Sequence, residues 1–484
     1  MAITTIPWDD GSGDYITLTY PSASGEQTVV VSSDANSGST SRTKTVTFNA
    51  FGVSPVVLTI VQEGVPEEYI VFADPAVEQI CVAKWGDGVG LKPSQAAQVT
   101  TLDNAFQNKT NITSFDELQY FTGLTSLYQQ FSGSTLQKVT LPAGIEFVNS
   151  NTYRRIFYNC TSLQDVDLSD FSRTGSGVTA QSNMFYNCSA LTTVRFQSIE
   201  QMNGLVRSGT SSTTDMPFGY NTGAHYVYLN GVELKDLVIP STITVINPGA
   251  FYRFNRLTSV TIHSSVTSIG SGAFDGCSGI VNMTVNAAIE LNIRNTLGGS
   301  SNTSYIGDGT GTLYLAGNVS NANNPCYISF KKIVINGNYS KGSASITTNH
   351  KAEQLRIGGN YATTATGWNS IIAITSNALA FFEVMGTISA GYQGCVLGSD
   401  VATYMIDGLI EHLGYSGIAC SPTLAGASYS RIHKIYVGDG TSAAHDNAIL
   451  AQYAADSDWS AYTSKLDTWY NYVNDPDANQ DYIN

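Results

Sequence analysis

The feature that most limits what this chain can fold into is a repeat. The segment from Ile239 to Phe251, IPSTITVINPGAF, matches the segment from Ile262 to Phe274, IHSSVTSIGSGAF, at a shift of 262 − 239 = 23 residues. Each copy runs on into an apolar triplet, Leu257/Val260/Ile262 and Ile280/Met283/Val285. The same spacing returns at Leu136/Val139/Leu141, Leu163/Val166/Leu168, Leu191/Val194/Phe196 and Leu234/Leu237/Ile239. It continues less regularly at Phe330/Ile333/Ile335, Ala352/Leu355/Ile357, Leu379/Phe382/Val384, Val401/Tyr404/Ile406 and Ile432/Ile435/Val437. The last two members of a triplet are two residues apart, so they point to one side of a strand. One short strand per coil cannot bury its apolar side alone, whereas stacked copies share a continuous core. The pattern predicts a solenoid of parallel strands. At about 4.8 Å per strand, a dozen coils would span roughly 60 Å.

Composition narrows the function. Only 13% of the 484 residues are charged, and the net charge is −15. Nucleic acid and anionic membranes both need clustered cations, so neither is expected as the main partner. A hydrophobic content of 42% suffices for a core, and 45 glycines suit many turns. No apolar run is long enough for a membrane-spanning helix, so no membrane insertion is expected. The opening MAITTIPWDDGSGDYITLTY has no basic residue before Arg42 and no apolar stretch of the signal-peptide kind, so this sequence is not expected to be a Sec substrate.

The seven cysteines are widely spaced, with no CxxC pair for zinc. Cys160, Cys188 and Cys277 share one context, in FYNC, FYNC and FDGC, while a further copy reads FYRF and puts Phe254 at that place. A position that accepts Cys or Phe is apolar and inside. These thiols are therefore read as small buried hydrophobes.

The repeat residues resemble the BspA-type leucine-rich repeat, whose pattern runs roughly L-x-x-I-x-I-P-x-x-V-x-x-I-G-x-x-A-F-x-x-C. The resemblance is specific over 234–285 and good over 112–196. From about 300 to 437 only the strand triplet supports it, and another β-solenoid remains open there. An insertion near 197–233 interrupts the array. It ends in YVYLNGVEL, where Asn230-Gly231 between apolar strands signals a hairpin. That hairpin is expected to project, preceded by a Ser/Thr-rich loop at 208–214.

Before the repeats, Tyr15–Tyr20, Thr28–Ser32, Lys44–Phe48 and Val56–Gln62 alternate as strands, with Ser, Gly, Asn and Asp between them. The reading is a small Ig-like β-sandwich. RTKTVTF from Arg42, closed by LTIVQEG from Leu58, resembles the BACON module of Bacteroidetes and their phages. The module's name implies carbohydrate binding, for which Trp8 and a few tyrosines offer a stacking face. A spacer or docking role suits so few aromatics better. Asp74 followed by Pro75 starts a helix whose Val77, Ile80 and Cys81 share one face. A second helix begins near Pro93. The link from Trp85 to Gln95 resembles a worn EF-hand or dockerin-type loop. Its ligand positions keep one acid, Asp87, and end on Gln95, where calcium needs a bidentate Glu. No metal is expected there.

The fold class expected is mainly β. A sandwich over 1–64 is followed by a helical N-cap over 65–100. A leucine-rich-repeat solenoid occupies 101–440, and a helical C-cap and tail 441–484. In the C-cap, Ile449, Tyr453, Trp459, Tyr462 and Leu466 supply the apolar side.

Motif searches give no enzyme. None of the six histidines lies in HExxH, and a GxSxG elbow is absent. The glycine clusters at 307–311 and 438–440 read as turns, not phosphate loops. Asp165 and Asp167 share the solvent side of one strand. A glycosidase pair on separate coils is thereby left open, since the sequence does not give separations. The expected protein is non-enzymatic and free of cofactors.

What remains is a surface. The outward residues of most triplets are small or charged: Lys138/Thr140, Asp165/Asp167, Thr193/Arg195, Ser259/Thr261, Asn282/Thr284 and Gln354/Arg356. The last coils differ, with Phe381/Glu383, Thr403/Met405 and Lys434/Tyr436. Apolar side chains on consecutive rungs make a patch that binds something or is covered by the C-terminal helices. The candidate ligand site is therefore Phe381, Met405 and Tyr436, with Glu383, Lys434 and Arg356 as its polar rim. The resemblance implies a surface adhesion protein. Without a leader, the expected setting is the virion surface, on the tail or capsid of a crAss-like phage of Bacteroides. Its N-terminal domain would dock on other virion proteins, and its repeats would touch a host surface glycan or protein. The alternatives are a secreted BspA-like adhesin on the bacterial cell surface and a polysaccharide-degrading enzyme. Self-association into a homo-oligomer is left open.

Overall fold

The computed structural model describes residues 2–9, 12–20, 29–38, 40–48, 54–125, 127, 129–143, 155–170, 184–205, 217–219, 221, 223–298, 305–321, 326–341, 346–348, 352–363, 381–385, 388–389, 403–406, 434–438, 442–455, 463–464 and 466–474. Two compact units are present: residues 1–71 with 81–97, and residues 72–80 with 98–484. The segment 65–100, expected as one cap, is thus divided between them.

In the first unit, Ala2–Pro7, Tyr15–Tyr20 and Val30–Ser33 form one antiparallel sheet, and Arg42–Phe48 pairs with Val56–Gln62 in another. The first of these strands was not foreseen. Trp8, Ile16 and Leu18 are buried at the centre, with Ile6, Val29, Val46, Phe48 and Ile60 packed against them. Alternation explains the layering, because every second residue of a strand faces the shared core. The helix Pro93–Ala97 starts at the proline, as expected.

The second unit is a set of parallel ladders. The first ladder runs Ser114–Phe115, Lys138–Thr140, Asp165–Asp167, Thr193–Phe196 and Tyr226–Leu229. Each rung buries its middle residue, Val139, Val166, Val194 and Val227 in turn. Asn230 (φ 49°) and Gly231 (φ 79°) then turn the chain, and Val232–Glu233 pairs antiparallel with Tyr228–Leu229. The hairpin is real, but its first strand is itself a rung beside Thr193–Phe196, so it extends the ladder rather than projecting from it. The expected loop at 208–214 lies outside the described residues.

A second ladder of ten strands begins afresh at Asp236–Ile239 and continues through Ser259–Ile262, Asn282–Val285, Thr312–Leu315, Lys332–Ile335, Gln354–Ile357, Phe381–Val384, Thr403–Ile406, Lys434–Val437 and Leu466–Thr468. That last strand corrects the sequence reading, which took the C-cap after 441 as helical, with Leu466 on its apolar side. The helices there are Ala443–Ala455 and Trp469–Asn474. Trp459 and Tyr462 lie outside the described residues.

The side opposite the strands changes along the array. Through the Phe274 turn its filling is stacked phenylalanines, Phe131 on Phe157 at 5.7 Å, Phe157 on Phe185 at 5.6 Å, and Phe251 on Phe274 at 5.2 Å, and the short strands Val245–Ile246 and Ser268–Ile269 pair beside them. From Leu291 onward strands line it: Leu291–Asn292, Val319–Asn321, Tyr339–Lys341, Tyr361–Thr363 and Ile388–Ser389 form a second parallel sheet. Cys326–Ile328 pairs with Ile346–Thr348 in a third. The later coils are therefore a β-solenoid with strands on several sides.

The first coil is tied to the helix Pro75–Trp85. Asp74 Oδ1 accepts from the Ala76 and Val77 amides, as an N-cap does, while Oδ2 accepts from the Thr113 amide and hydroxyl. Burial alone would raise the Asp74 carboxyl, but the bonds from Thr113, Ala76 and Val77 outweigh it and hold the group below its usual range.

Candidate functional site

Outward side chains of the first ladder form two rows on neighbouring rungs. Lys138, Asp165, Thr193 and Tyr226 stand opposite one another in one row. Thr140, Asp167, Arg195, Tyr228 and Glu233 make the other. Charges alternate along the rungs and are joined in pairs. Lys138 binds Asp116, Arg195 binds Asp165, and Arg256 Nε donates to Glu233 Oε1 at 2.5 Å. The Arg256 guanidinium lies 4.4 Å over the Tyr226 ring, and that of Arg195 lies 5.4 Å over Tyr228. The Arg256 hydrogen bond holds Glu233 below the usual carboxylate range, and the Asp116 bond raises Lys138.

This end of the ladder is a half-exposed aromatic and charged surface carried on rungs that the core fixes. Tyr226 and Tyr228 were missed as site residues because their strand was read as a projecting hairpin. The signal was present in the alternating Tyr226-Val227-Tyr228, which has the rung pattern of Thr193-Val194-Arg195.

The second ladder presents a different face over its first rungs. Asp236, Ser259, Asn282 and Thr312 are in one row and Val238, Thr261, Thr284 and Tyr314 in the next, with Asp236 the one charge among them, bonded to the Ser259 hydroxyl. Farther along lie the residues singled out from sequence. Register places Gln354, Phe381, Thr403 and Lys434 in one row and Arg356, Glu383, Met405, Tyr436 and Asp467 in the other. The six candidates thus share one face of the sheet. Arg356 is half-buried. The side chains of Phe381, Glu383, Met405 and Lys434 lie outside the described residues. Tyr436 is a correction: it is only 8% exposed and does not stand free. The strand Leu466–Thr468 pairs beside its own, and both C-terminal helices pack against Lys434–Val437.

Other candidates have structural occupations. Trp8 is buried beneath the Arg42 guanidinium at 4.5 Å, so it offers no open stacking face. Asp165 is paired with Arg195, and Asp167 accepts from the Ser169 amide. Asp87 accepts from the Val89 and Gly90 amides and from the Tyr69 hydroxyl, as a loop brace. Among the described residues no group of three His, Cys, Asp or Glu is placed to hold a metal. Gly307 and Gly309 have φ near +90°, and Asp308 braces Thr310, so this cluster is a turn. His263 is an exposed loop residue bonded to Ser265.

The three repeat cysteines are buried, and each thiol donates to a backbone carbonyl of the preceding coil: Cys160 to Phe131, Cys188 to Phe157 and Cys277 to Phe251. Burial pushes Cys160 up to about 11 and raises Cys188 and Cys277 well above the usual thiol range.

The turn phenylalanines, the cysteine bonds and the ladder recur together from coil to coil. Residues 98–218 and 222–306 match the BspA type leucine rich repeat region, in 6 copies. The match takes in the strand Leu291–Asn292, where the inner sheet begins, and ends before the next strand of that sheet, Val319–Asn321. The matched coils therefore carry the Tyr226–Tyr228 surface, while the candidates from Arg356 to Tyr436 lie on coils beyond the match. No curated protein matches the chain.

Proposed function

We propose that this chain is a non-enzymatic surface binding protein of the adhesion type, which meets its ligand with the outer face of the BspA-type ladder. The observation that supports this most is the Tyr226–Tyr228 surface with its arginine and carboxylate pairs. Aromatic and arginine side chains dominate the energetics of many contacts, and rings also stack on sugars. Because the charges are already paired with one another, the ligand need not be ionic. A host-surface glycan or protein fits such a face. Proteins with repeats of this type are commonly surface and adhesion proteins.

The setting we favour is a phage virion, with the N-terminal module, read as a BACON-like, Ig-like sandwich, docking to other virion proteins. A bacterial cell surface would use the same binding face. Mass spectrometry of purified virions should detect the chain, whereas surface-protease release from bacterial cells would favour the adhesin.

Binding of the purified chain to intact candidate host cells tests the central reading. Tyr226→Ser with Tyr228→Ser should weaken binding by about one to two powers of ten, the worth of a buried aromatic side chain, without lowering the melting temperature. Retained binding in that variant, with loss in Phe381→Ser, would move the site to the later coils. Release of reducing sugar from host polysaccharide would overturn the non-enzymatic reading.

A further inference from the structure

The strand ladder is continuous on either side of residue 235 but not across it. Val232–Glu233 closes the first ladder with an antiparallel strand, and Asp236–Ile239 pairs only with Ser259–Ile262 among the described residues. The hydrogen bonds that cross this junction among the described residues all use a side chain. On one side, Asn203 Nδ2 donates to the Val245 carbonyl, while its Oδ1 and backbone oxygen accept from the Asn247 amide and side chain at 2.7–2.9 Å. Thr242 donates to Glu200. On the other side, Arg253 Nη1 donates to the Asn221 carbonyl and Asn255 Nδ2 to the Gly223 carbonyl, both at 2.7 Å.

His225 sits in the middle of this second group and is 1% exposed. Its amide donates to Asn255 Oδ1, and its Nδ1 is 3.0 Å from the Arg253 carbonyl oxygen. A carbonyl can only accept, so Nδ1 carries the proton. Nε2 is then a bare lone pair, buried and without a hydrogen-bond partner among the described residues. The ring stacks on Phe218 at 4.2 Å, and Phe218 meets Phe254 edge-on across the junction.

We propose that His225 is an acid-sensitive latch: in its neutral form it holds the two ladders together, and its protonation opens the junction between them. A second proton would sit on Nε2, where no acceptor waits, and would place a cation in a buried site beside the Arg253 guanidinium. Arg253 is the charged side chain whose field reaches the ring, and it opposes protonation. Burial, reinforced by that field, takes the group from 6.5 down to about 4 despite the bonds to Arg253 and Asn255. The folded value is depressed, so the open state binds the extra proton first. Closure is fully favoured above pH 6.5 and is lost progressively as pH falls toward 4. Glu233 and Glu200, also at the junction, are held below the usual carboxylate range by hydrogen bonds from Arg256 and Thr242.

His225 adjoins Tyr226, and Asn255 adjoins Arg256. The same opening would therefore unpick the Tyr226–Arg256–Glu233 cluster. That consequence rests on the binding reading above, whereas the opening itself does not.

The test is hydrogen exchange of the whole chain between pH 6.5 and 4.5, corrected for intrinsic rates. No ligand is needed. The amides of His225 and Asn247, which donate across the junction, should open more as pH falls, by up to about tenfold per unit for one linked proton. Amides inside the first ladder, such as Val166, should not follow. His225→Asn keeps a donor near Nδ1 and does not titrate, and His225→Phe keeps the stack on Phe218. Either variant should flatten the pH dependence, and using both guards against one failing to fold. A flat profile in the unaltered chain, an unchanged slope in both variants, or a parallel rise along the whole chain would each overturn the latch.

Discussion

Coils before and after residue 306 solve one problem in two ways. Both present a short outward strand with a buried middle residue. In the BspA-type coils the opposite side is a turn. Its apolar filling is a phenylalanine stack, and it is bent by two left-handed residues four apart, such as Gly249 with Arg253 and Gly272 with Gly276. In the later coils it is a strand entered through a Gly-Asn corner. Asn318 Oδ1 accepts from the Asn338 amide, and Asn338 Oδ1 from the Asn360 amide, each at 2.8 Å. Here Tyr339 and Tyr361, with rings 5.4 Å apart, supply the inner aromatic pair. The first of the later coils are also slightly shorter than the 23-residue repeat, with 332 − 312 = 20 and 354 − 332 = 22 residues between successive rungs, whereas those after them vary, with 381 − 354 = 27 and 434 − 403 = 31. The comparison teaches that the strand triplet fixes stacking but not the cross-section. The residues at the bends decide that.

The comparison breaks most sharply at the phenylalanine stack. Phe274 is fully buried against Phe251. Phe274→Ala should lower stability by about 3–5 kcal/mol in a thermal or denaturant melt, as large-to-small core changes do. The later coils should instead fail at their corners. A Cβ on Gly337 would lie 2.5 Å from the Gly317 carbonyl oxygen, which is backbone and cannot swing aside. Gly337→Ala should therefore cost about 1–3 kcal/mol, whereas the same change in the BspA-type stretch at Gly272, which has room but a left-handed φ, should cost about 1–2 kcal/mol.

Asp74 guards the open end of the BspA-type coils. Asp74→Ala should cost about 0.5–2 kcal/mol through the lost cap. Because its folded carboxyl is depressed below 3.8, its contribution stands above that pH and disappears as pH falls through the lowered value. Urea melts should show the variant's full deficit at pH 6 and a deficit that shrinks as the pH is taken progressively below 3.8. Asn338→Ala should cost about 0.5–1.5 kcal/mol by removing one acceptor of the amide row, read as a small drop in denaturation midpoint. The smallest signal is an absence of reaction. Cys160, Cys188 and Cys277 should stay unlabelled by a thiol reagent in the native state, and rapid labelling would contradict the inner bonds to the preceding coil.

Much of the fold was legible in the residues. The helix at Pro75 was marked by Asp74, the hairpin turn by Asn230-Gly231, and the inner place of the cysteines by a copy that substitutes Phe254. The strand corner of the later coils was equally legible in Gly317-Asn318, Gly337-Asn338 and Gly359-Asn360, but the apolar triplet drew the reading away from it. The strand Leu466–Thr468 was hidden because three residues before a helical stretch carry no period of their own.

Sequence by itself determined which residues of each rung face inward, because side-chain direction in a strand alternates whatever surrounds it. Whether the outward side is open is a matter of what returns to cover it, and that depends on residues far along the chain. Tyr436 has the local pattern of an exposed anchor, yet the strand and helix after residue 465 close over it. Tyr226 and Tyr228 have the pattern of a surface hairpin, yet they join a rung 33 residues earlier (226 − 193) and meet Arg195 and Arg256 there. The break at residue 235 is of the same kind. The Asn230-Gly231 turn sends Val232–Glu233 back antiparallel, but that the next strand, Asp236–Ile239, then starts a new ladder beside Ser259–Ile262 is decided by packing against the coil that follows.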